Sequence, residues 1–192
     1  MRSKMRTTTH RLVGLIVIAL WSITVLAEVG VDIERNWKQE QFAHMLSVKR
    51  DYRNEQYGFG VPKLSGVEVY GNEPPNPNHG IVYLLGYKRT ISVSASYDAA
   101  EYGSTKALLD HRLENKHPDT STRSPTVLAG KPAEQAILRT GNTVNKVVVR
   151  RRNEDGGILY ELTLTTTQAD QTTDIALFDK VLAGFKTFKL PK

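Results

Sequence analysis

The stretch from Leu128 to Phe185 constrains the fold of this chain more than any other part of its sequence. Two runs, Val127 to Thr140 and Lys146 to Arg152, are rich in apolar residues and end at turn-forming residues, so they predict two strands. From Ile158 to Thr166 apolar and polar residues alternate, which is the period of a half-buried strand. The period then changes to three- and four-residue steps at Ile175, Phe178, Val181, Leu182 and Phe185. Such steps place side chains on one helical face, so the stretch predicts a helix across an antiparallel sheet, an α+β fold.

The first part of the chain predicts a helix, a hairpin and a loop. Val31 to Leu46 carries apolar residues at loose helical spacing. Ser47 to Asp51 and Tyr57 to Val61 flank a polar stretch, which predicts a hairpin. Val67 to Tyr70 alternates like a short strand. Three prolines within Gly71 to Gly80 remove backbone donors, so this segment predicts a surface loop.

The middle of the chain predicts two more strands and a second helix. Ile81 to Leu85 and Arg89 to Ala95 alternate in the way of strands with one covered face. Ser104 stands where a helix N-cap belongs, before a leucine-rich stripe that ends at Leu113. The polar segment from Lys116 to Pro125 predicts a connection without regular structure.

Residues 1–27 have the composition of an export signal. A basic start precedes the apolar run Leu12 to Leu26, and Ala27 ends a short-residue site of the kind that signal peptidase accepts. The uncharged run from Leu12 to Ala27 has 16 residues. A spanning helix needs roughly 20, so a retained anchor is the less favoured alternative. The chain has no cysteine, which excludes lipidation at the cleavage site. We therefore expect an exported bacterial protein, located in the periplasm or secreted.

Removal of this segment changes the electrostatic interpretation of the chain. It holds four of the 26 Lys and Arg residues and no acidic residue, so the net charge falls from +6 to about +2. The basic character is therefore largely an export feature, and the sequence predicts no nucleic-acid partner. We divide the remainder into an N-terminal helical segment, residues 28–50, and one domain, residues 51–192.

Five segments of the chain resemble the PsbP-like family, which is named after an extrinsic accessory protein of photosystem II. They are Asn54 to Val61, Thr90 to Ser94, Val127 to Ala133, Leu159 to Leu164 and Phe178 to Phe185. The resemblance implies an α/β/α sandwich around a central antiparallel sheet. It also implies roles as accessory subunits, scaffolds or binding partners, without a common set of catalytic residues.

Motifs for catalysis, metals or cofactors are absent from the sequence. His44, His79, His111 and His117 have no metal-ligand spacing, although His111 with Asp110 and Glu114 could share one helical edge. No GxSxG motif occurs, and Gly58-Phe59-Gly60 lacks the third glycine of a dinucleotide site. The sequence thus predicts a protein that is not an enzyme and has no cofactor.

The predicted binding surface combines a basic strand with the proline loop. Arg150 and Arg152 point to one side of their strand and Arg151 to the other. A solvated strand end that guards against aggregation is the ordinary explanation of this run, and an acidic partner is the functional one. With Asn76, Asn78 and His79 of the loop, the two arginines form the candidate site for an envelope protein partner. The alternatives are a periplasmic small-ligand or metal-binding protein around His79 or His111 and, less favoured, an envelope hydrolase.

Overall fold

The computed structural model describes residues 30–72, 79–97, 102–114, 116–152 and 157–190. The chain divides into two units, Met1–Ala43 and His44–Lys192. In the first unit, helix α1 covers residues 30–42, and the rings of Trp37 and Phe42 meet edge to face with centroids 5.7 Å apart. The expected N-terminal helix is present, but it ends before Met45, where the first strand begins. The expected export segment and its cleavage site at Ala27 lie outside the described residues.

The second unit is built around an antiparallel sheet of eight strands. In spatial order these are β1 (Met45–Ser47), β4 (Glu68–Asn72), β5 (Gly80–Gly86), β6 (Arg89–Ser96), β10 (Ile158–Thr167), β9 (Thr143–Arg152), β8 (Lys131–Thr140) and β7 (Thr120–Leu128). The sequence periodicity identified β4, β5, β6, β9 and β10 within a few residues. The pairing of β6 with β10 joins the two halves of the chain in the middle of the sheet.

A smaller sheet of three strands contains the expected hairpin. Its strands are β2 (Tyr52–Asn54), β3 (Phe59–Val61) and β11 (Lys186–Thr187), in the order β11-β3-β2. The first strand of the hairpin begins at Tyr52, inside the stretch that was expected to form the turn. The turn is shorter because the Asn54 side chain accepts a hydrogen bond of 3.0 Å from the Tyr57 backbone N–H, and Gly58 follows with φ of 62°.

Two helices cover opposite faces of the large sheet, which confirms the α/β/α arrangement. They are α2 (Thr105–Glu114) and α3 (Gln171–Gly184). Phe178 and Val181 of α3 pack with Tyr160 and its neighbours, whereas the leucines of α2 pack with Leu159. Ser104 caps α2 as predicted, since its hydroxyl accepts a hydrogen bond of 3.0 Å from the backbone N–H of Ala107. Within the described residues, no helix is long and apolar enough to cross a membrane.

The segment from Lys116 to Pro125 is not the irregular connection that its polarity predicts. Residues from Thr120 onward form β7, which pairs with β8 through a tight turn at Ala129 and Gly130. Because β7 is the last strand of the sheet, its side chains are mostly exposed and need no apolar alternation. An edge position also tolerates proline, which explains Pro125 inside a strand.

A buried ion pair fixes α3 to the sheet. The guanidinium of Arg89 donates to both carboxylate oxygens of Asp174, over 2.8 and 2.7 Å, and also lies 3.1 Å from Asp170. The Thr166 hydroxyl donates to the same Asp174 carboxylate. Asp174 is fully buried, so these bonds replace the hydration that its charge loses. The first turn of α3 is thereby held on β6 and β10.

Candidate functional site

The expectation of a solvated basic strand at Arg150 and Arg152 is wrong. Both side chains lie on the same side of β9, as the alternation predicts, but they are only 5% and 8% exposed. Arg150 donates to the carbonyl oxygen of Leu128 over 3.2 Å. Arg152 donates to the Phe188 carbonyl over 3.0 Å and to the Tyr160 hydroxyl over 3.2 Å. The two guanidinium groups therefore tie surrounding segments together beneath the surface instead of presenting charge to a partner.

The loop residues of the predicted site divide into two groups. Asn76 and Asn78 lie outside the described residues. His79 is described and exposed, at the start of β5. Its Nδ1 atom is 2.9 Å from the Tyr57 hydroxyl and 3.1 Å from the Ala95 carbonyl oxygen, and its own carbonyl accepts from the Ala95 N–H.

Gly80 explains why His79 can lie so close to β6. A Cβ atom at this position would be 1.8 Å from the carbonyl oxygen of Val93, so no other residue fits without moving the strand. This close approach places His79 at the end of β6, next to the rings of Tyr57 and Tyr97. Sequence spacing did not indicate this grouping.

The aromatic surface, as we call it, consists of Tyr57, His79 and Tyr97. The Tyr57 ring centroid is 5.5 Å from that of His79 and 4.9 Å from that of Tyr97. The Tyr97 hydroxyl donates a hydrogen bond of 2.7 Å to the Gln56 carbonyl, yet the residue is 45% exposed. An exposed ring is therefore held in one orientation by a buried neighbour and a backbone contact.

A polar cleft opens beside His79. It has a volume of about 220 Å³ and is lined by His79, Ser94, Ala95, Ser96, Arg112, Leu159 and Glu161. The Nε atom of Arg112, in the last turn of α2, is 3.1 Å from a carboxylate oxygen of Glu161 on β10. Thr163 donates to the other Glu161 oxygen over 3.3 Å. The cleft thus offers a cation, an anion, two serines and an imidazole within one small volume.

The chemistry that this arrangement supports is hydrogen bonding with a polar group. Glu161 is paired with Arg112, and the Nδ1 atom of His79 faces the Tyr57 hydroxyl and the Ala95 carbonyl. An activated nucleophile requires a base that is bonded to the nucleophile and oriented by a third group. Among the described residues that line the cleft, none forms such a relay, and the absence of enzyme activity stays a prediction.

The side chains around His111 were the second place where the sequence allowed a metal-binding site. His111 lies 3.4 Å from Glu114 in an exposed pair, and Asp110 accepts a hydrogen bond from Arg123. Throughout the described part of the chain, no group of three or more His, Cys, Asp or Glu residues is placed to hold a metal ion. Asp110, which could share a helical edge with His111 and Glu114, is instead hydrogen-bonded to Arg123 of the edge strand β7.

Sequence reasoning missed Tyr97, Arg112 and Glu161. Tyr97 directly follows an alternating strand, which was an available signal. Arg112 and Glu161 are 49 positions apart, and only the packing of α2 on the sheet brings them together. Polar residues on separate elements carry no spacing pattern, so a single sequence does not reveal such a pair.

Seventeen chains of solved structures match this chain, and two of them are CyanoP and LpqN. The cyanobacterial PsbP protein CyanoP from Synechocystis matches with a TM-score of 0.50 and 14% identity, covering 72% of this chain and 92% of its own. LpqN, which is involved in cell envelope biogenesis of Mycobacterium tuberculosis, matches with a TM-score of 0.53 and 14% identity, covering 76% and 92%. No family model and no curated protein matches the sequence.

These likenesses establish the class of the fold. The chain has the PsbP-like fold, a mixed helix and strand architecture with a large antiparallel sheet, as the sequence resemblance implies. At 14% identity the likeness extends to the fold and not to the activity of either neighbour.

Proposed function

We propose that this protein is an exported, non-catalytic PsbP-like domain that binds another protein in the cell envelope. The observation that carries the proposal is the aromatic surface, where Tyr97 is exposed and yet held by Tyr57 and by the Gln56 carbonyl. The fold shared with LpqN, a protein of cell envelope biogenesis, supports the same conclusion. The signal-like composition of residues 1–27 supports export.

The chemistry of this surface is that of a protein contact. Tyrosine and arginine are enriched among residues that dominate binding energy, because they contribute large areas and directed hydrogen bonds. A tyrosine that is already oriented loses little side-chain entropy when a partner covers it. The Arg112–Glu161 pair beside it supplies both charges at the rim, which favours orientation of a partner more than raw affinity. The proposed site therefore moves from the two buried arginines to His79 and Tyr97.

A pull-down in the native host tests the proposal. The full chain with a C-terminal tag is captured from solubilised envelope, as wild type, Tyr97→Ser or Tyr87→Ser. Tyr87 is the matched control because it is a tyrosine of similar exposure, 40% against 45%, in the turn between β5 and β6. Loss of a buried interfacial tyrosine costs about 2 kcal/mol or more, so Tyr97→Ser should weaken binding by at least about tenfold.

The outcomes separate the hypotheses. A partner that is retained by wild type and Tyr87→Ser and lost by Tyr97→Ser supports the proposed surface. Equal retention by all three proteins would overturn the site, and capture of no partner would overturn the function.

Export is tested by fusing residues 1–30 to alkaline phosphatase, which is active only outside the cytoplasm; an inactive fusion would contradict export.

A further inference from the structure

A second concave site lies on the small sheet, separate from the aromatic surface. It has a volume of about 500 Å³, within the range of roughly 300–1,000 Å³ that is usual for small-molecule sites. Its lining residues belong to β2, β3, β11 and the end of α3 or lie next to these strands: Asp51, Tyr52, Arg53, Gly60, Val61, Pro62, Gly184, Lys186, Thr187 and Phe188. We call it the small-sheet groove.

The floor of the groove is a glycine between two cations. Arg53 of β2 and Lys186 of β11 are both in register with Gly60 of β3, so the three positions share one face of the sheet. A Cβ atom on Gly60 would approach only the Tyr52 carbonyl, at 3.2 Å, and the edge of the Phe188 ring, at 4.0 Å. Gly60 thus presents bare backbone to the groove between Arg53 and Lys186, and even a Cβ atom would be tight against the Tyr52 carbonyl.

The walls of the groove are apolar and well supported. The Cζ atom of Arg53 lies 3.5 Å from the Phe188 ring centroid, in stacking contact. Pro62 closes the far end against Gly184, where a Cβ atom would be 2.6 Å from the proline ring. The glycine at 184 is thus required for the end of α3 to approach β3 so closely.

The groove lining carries two cations, Arg53 and Lys186, and one anion, Asp51. The Oδ1 atom of Asp51 accepts a hydrogen bond of 2.8 Å from the Lys63 backbone N–H. Arg53 donates to both carboxylate oxygens of Glu55 through Nε and Nη2, and its side chain is 59% exposed. Lys186 is exposed, and its ammonium makes no ion pair or hydrogen bond to any of the described residues. The Lys186 ammonium and the Nη1 atom of Arg53 thus keep hydrogen-bond donors that the described residues do not use.

We infer that the small-sheet groove binds a free amphipathic anion, that is, one that is not part of a membrane. Its apolar body would lie on Tyr52, Pro62 and Phe188, and its acidic group between Arg53 and Lys186. A carboxylate, sulfonate or phosphate group meets the same two donors. The glycine floor lets the body of the ligand lie against the backbone of β3. This site does not depend on the proposed protein partner, which would contact the aromatic surface.

A matched pair of fluorescent probes tests the inference on the full chain. Anilinonaphthalene sulfonate carries a sulfonate on an aromatic body, and N-phenylnaphthylamine has the same body without the charge. Charge-assisted hydrogen bonds favour the anion, so we expect the sulfonate to bind at least about tenfold more tightly, with one site per chain. The preference should shrink at high salt because the cations are exposed.

Charge variants locate the site. Arg53→Gln with Lys186→Gln should reduce sulfonate affinity by about tenfold or more and leave the neutral probe unchanged. Lys189→Gln is the matched control, since Lys189 is exposed on the same terminal segment and does not line the groove. Amide chemical shifts of Gly60 and Gly184 should move on addition of the sulfonate, which is a readout independent of any variant.

Three results would each overturn the inference. The first is equal affinity for both probes in the wild type, and the second is a double variant that binds the sulfonate as well as Lys189→Gln does. The third is sedimentation with phosphatidylglycerol vesicles that is lost in the double variant, because the anion would then belong to a membrane and not to a free molecule. Failure of the pull-down would leave these results unaffected.

Discussion

Tyr83 is a fully buried tyrosine whose hydroxyl donates a hydrogen bond of 2.6 Å to the Pro62 carbonyl oxygen. Burial raises the pKa of this hydroxyl well above its usual value near 10, and the Asp51 carboxylate raises it further. Just above pH 10, the Tyr83 hydroxyl therefore stays protonated in the folded state, whereas it begins to lose its proton in the unfolded chain. The resulting stability is fully present below pH 10 and is lost as the pH rises above it.

A Tyr83→Phe variant should separate this contribution from the rest of alkaline unfolding. Between pH 9 and pH 11, the free energy of unfolding of the wild type should fall by about 1.4 kcal/mol more than that of the variant. Urea unfolding at several pH values measures both curves, and the other tyrosines cancel in the comparison. Parallel curves would show that Tyr83 does not keep its proton in the folded state.

Arg150 and Arg152 mark the limit of prediction at the scale of the residue. Strand alternation correctly assigned both to one side of β9, because side chains of a strand point alternately up and down. Alternation did not indicate which side of β9 would be covered, because that depends on contacts with Leu128 and Phe188. These two residues lie far from β9 in the sequence, so no local pattern reveals the contacts. A long guanidinium reaches carbonyl groups of distant segments, so arginine can be buried where a shorter charged residue would not be.

The contact between the end of α3 and the β3 strand belongs to the scale of the element. Alanine has a higher helix propensity than glycine, so Gly184→Ala would by itself stabilise α3. The added Cβ atom, however, would be 2.6 and 2.7 Å from Pro62 Cγ and Cδ. The proline ring has little freedom to move, so the helix end would have to shift.

We expect Gly184→Ala to lower the free energy of unfolding by about 1 to 3 kcal/mol, the usual cost of overpacking. Thermal or urea unfolding measures the change. The double variant with Pro62→Ala should regain most of the loss, because the clash is with the proline side chain. A Gly184→Ala protein that is as stable as the wild type would mean that the helix end is not held against Pro62.

Elements with regular periodicity were predictable, and the edge strand was not. Buried side chains recur at every second residue in β6 and β10 and at every third or fourth residue in α3, because one face of each element is buried. β7 exposes most of its side chains and contains Pro125, so its sequence looks like a loop. Its strand conformation is imposed by the backbone hydrogen bonds of β8, which leave no trace in the side chains of β7.

Both hydrophobic cores lie wholly within the second unit, which is the main feature at the scale of the molecule. Every buried member of the two clusters falls between Tyr57 and Phe185. The unit His44–Lys192 therefore contains its own core and the strands that enclose it.

A chain that begins at His44 should fold by itself. We expect a single cooperative urea transition, with a midpoint close to that of the full chain, because no member of the two hydrophobic clusters is removed. Circular dichroism and tryptophan-independent probes such as tyrosine fluorescence measure it, since Trp37 is deleted. A broad or absent transition would show that residues before His44 are part of the stabilising structure.

Periodic burial repeats along neighbouring residues, so the sequence predicted an antiparallel sheet, most of its strands and both helices of the second unit, and the family resemblance predicted the PsbP-like class. Tertiary structure alone decided that Arg150 and Arg152 are buried and that His79 joins Tyr57 and Tyr97. It also decided that a glycine in β3 becomes the floor of a groove between Arg53 and Lys186. These sites combine residues far apart in the chain, and their geometry depends on packing that no local pattern encodes.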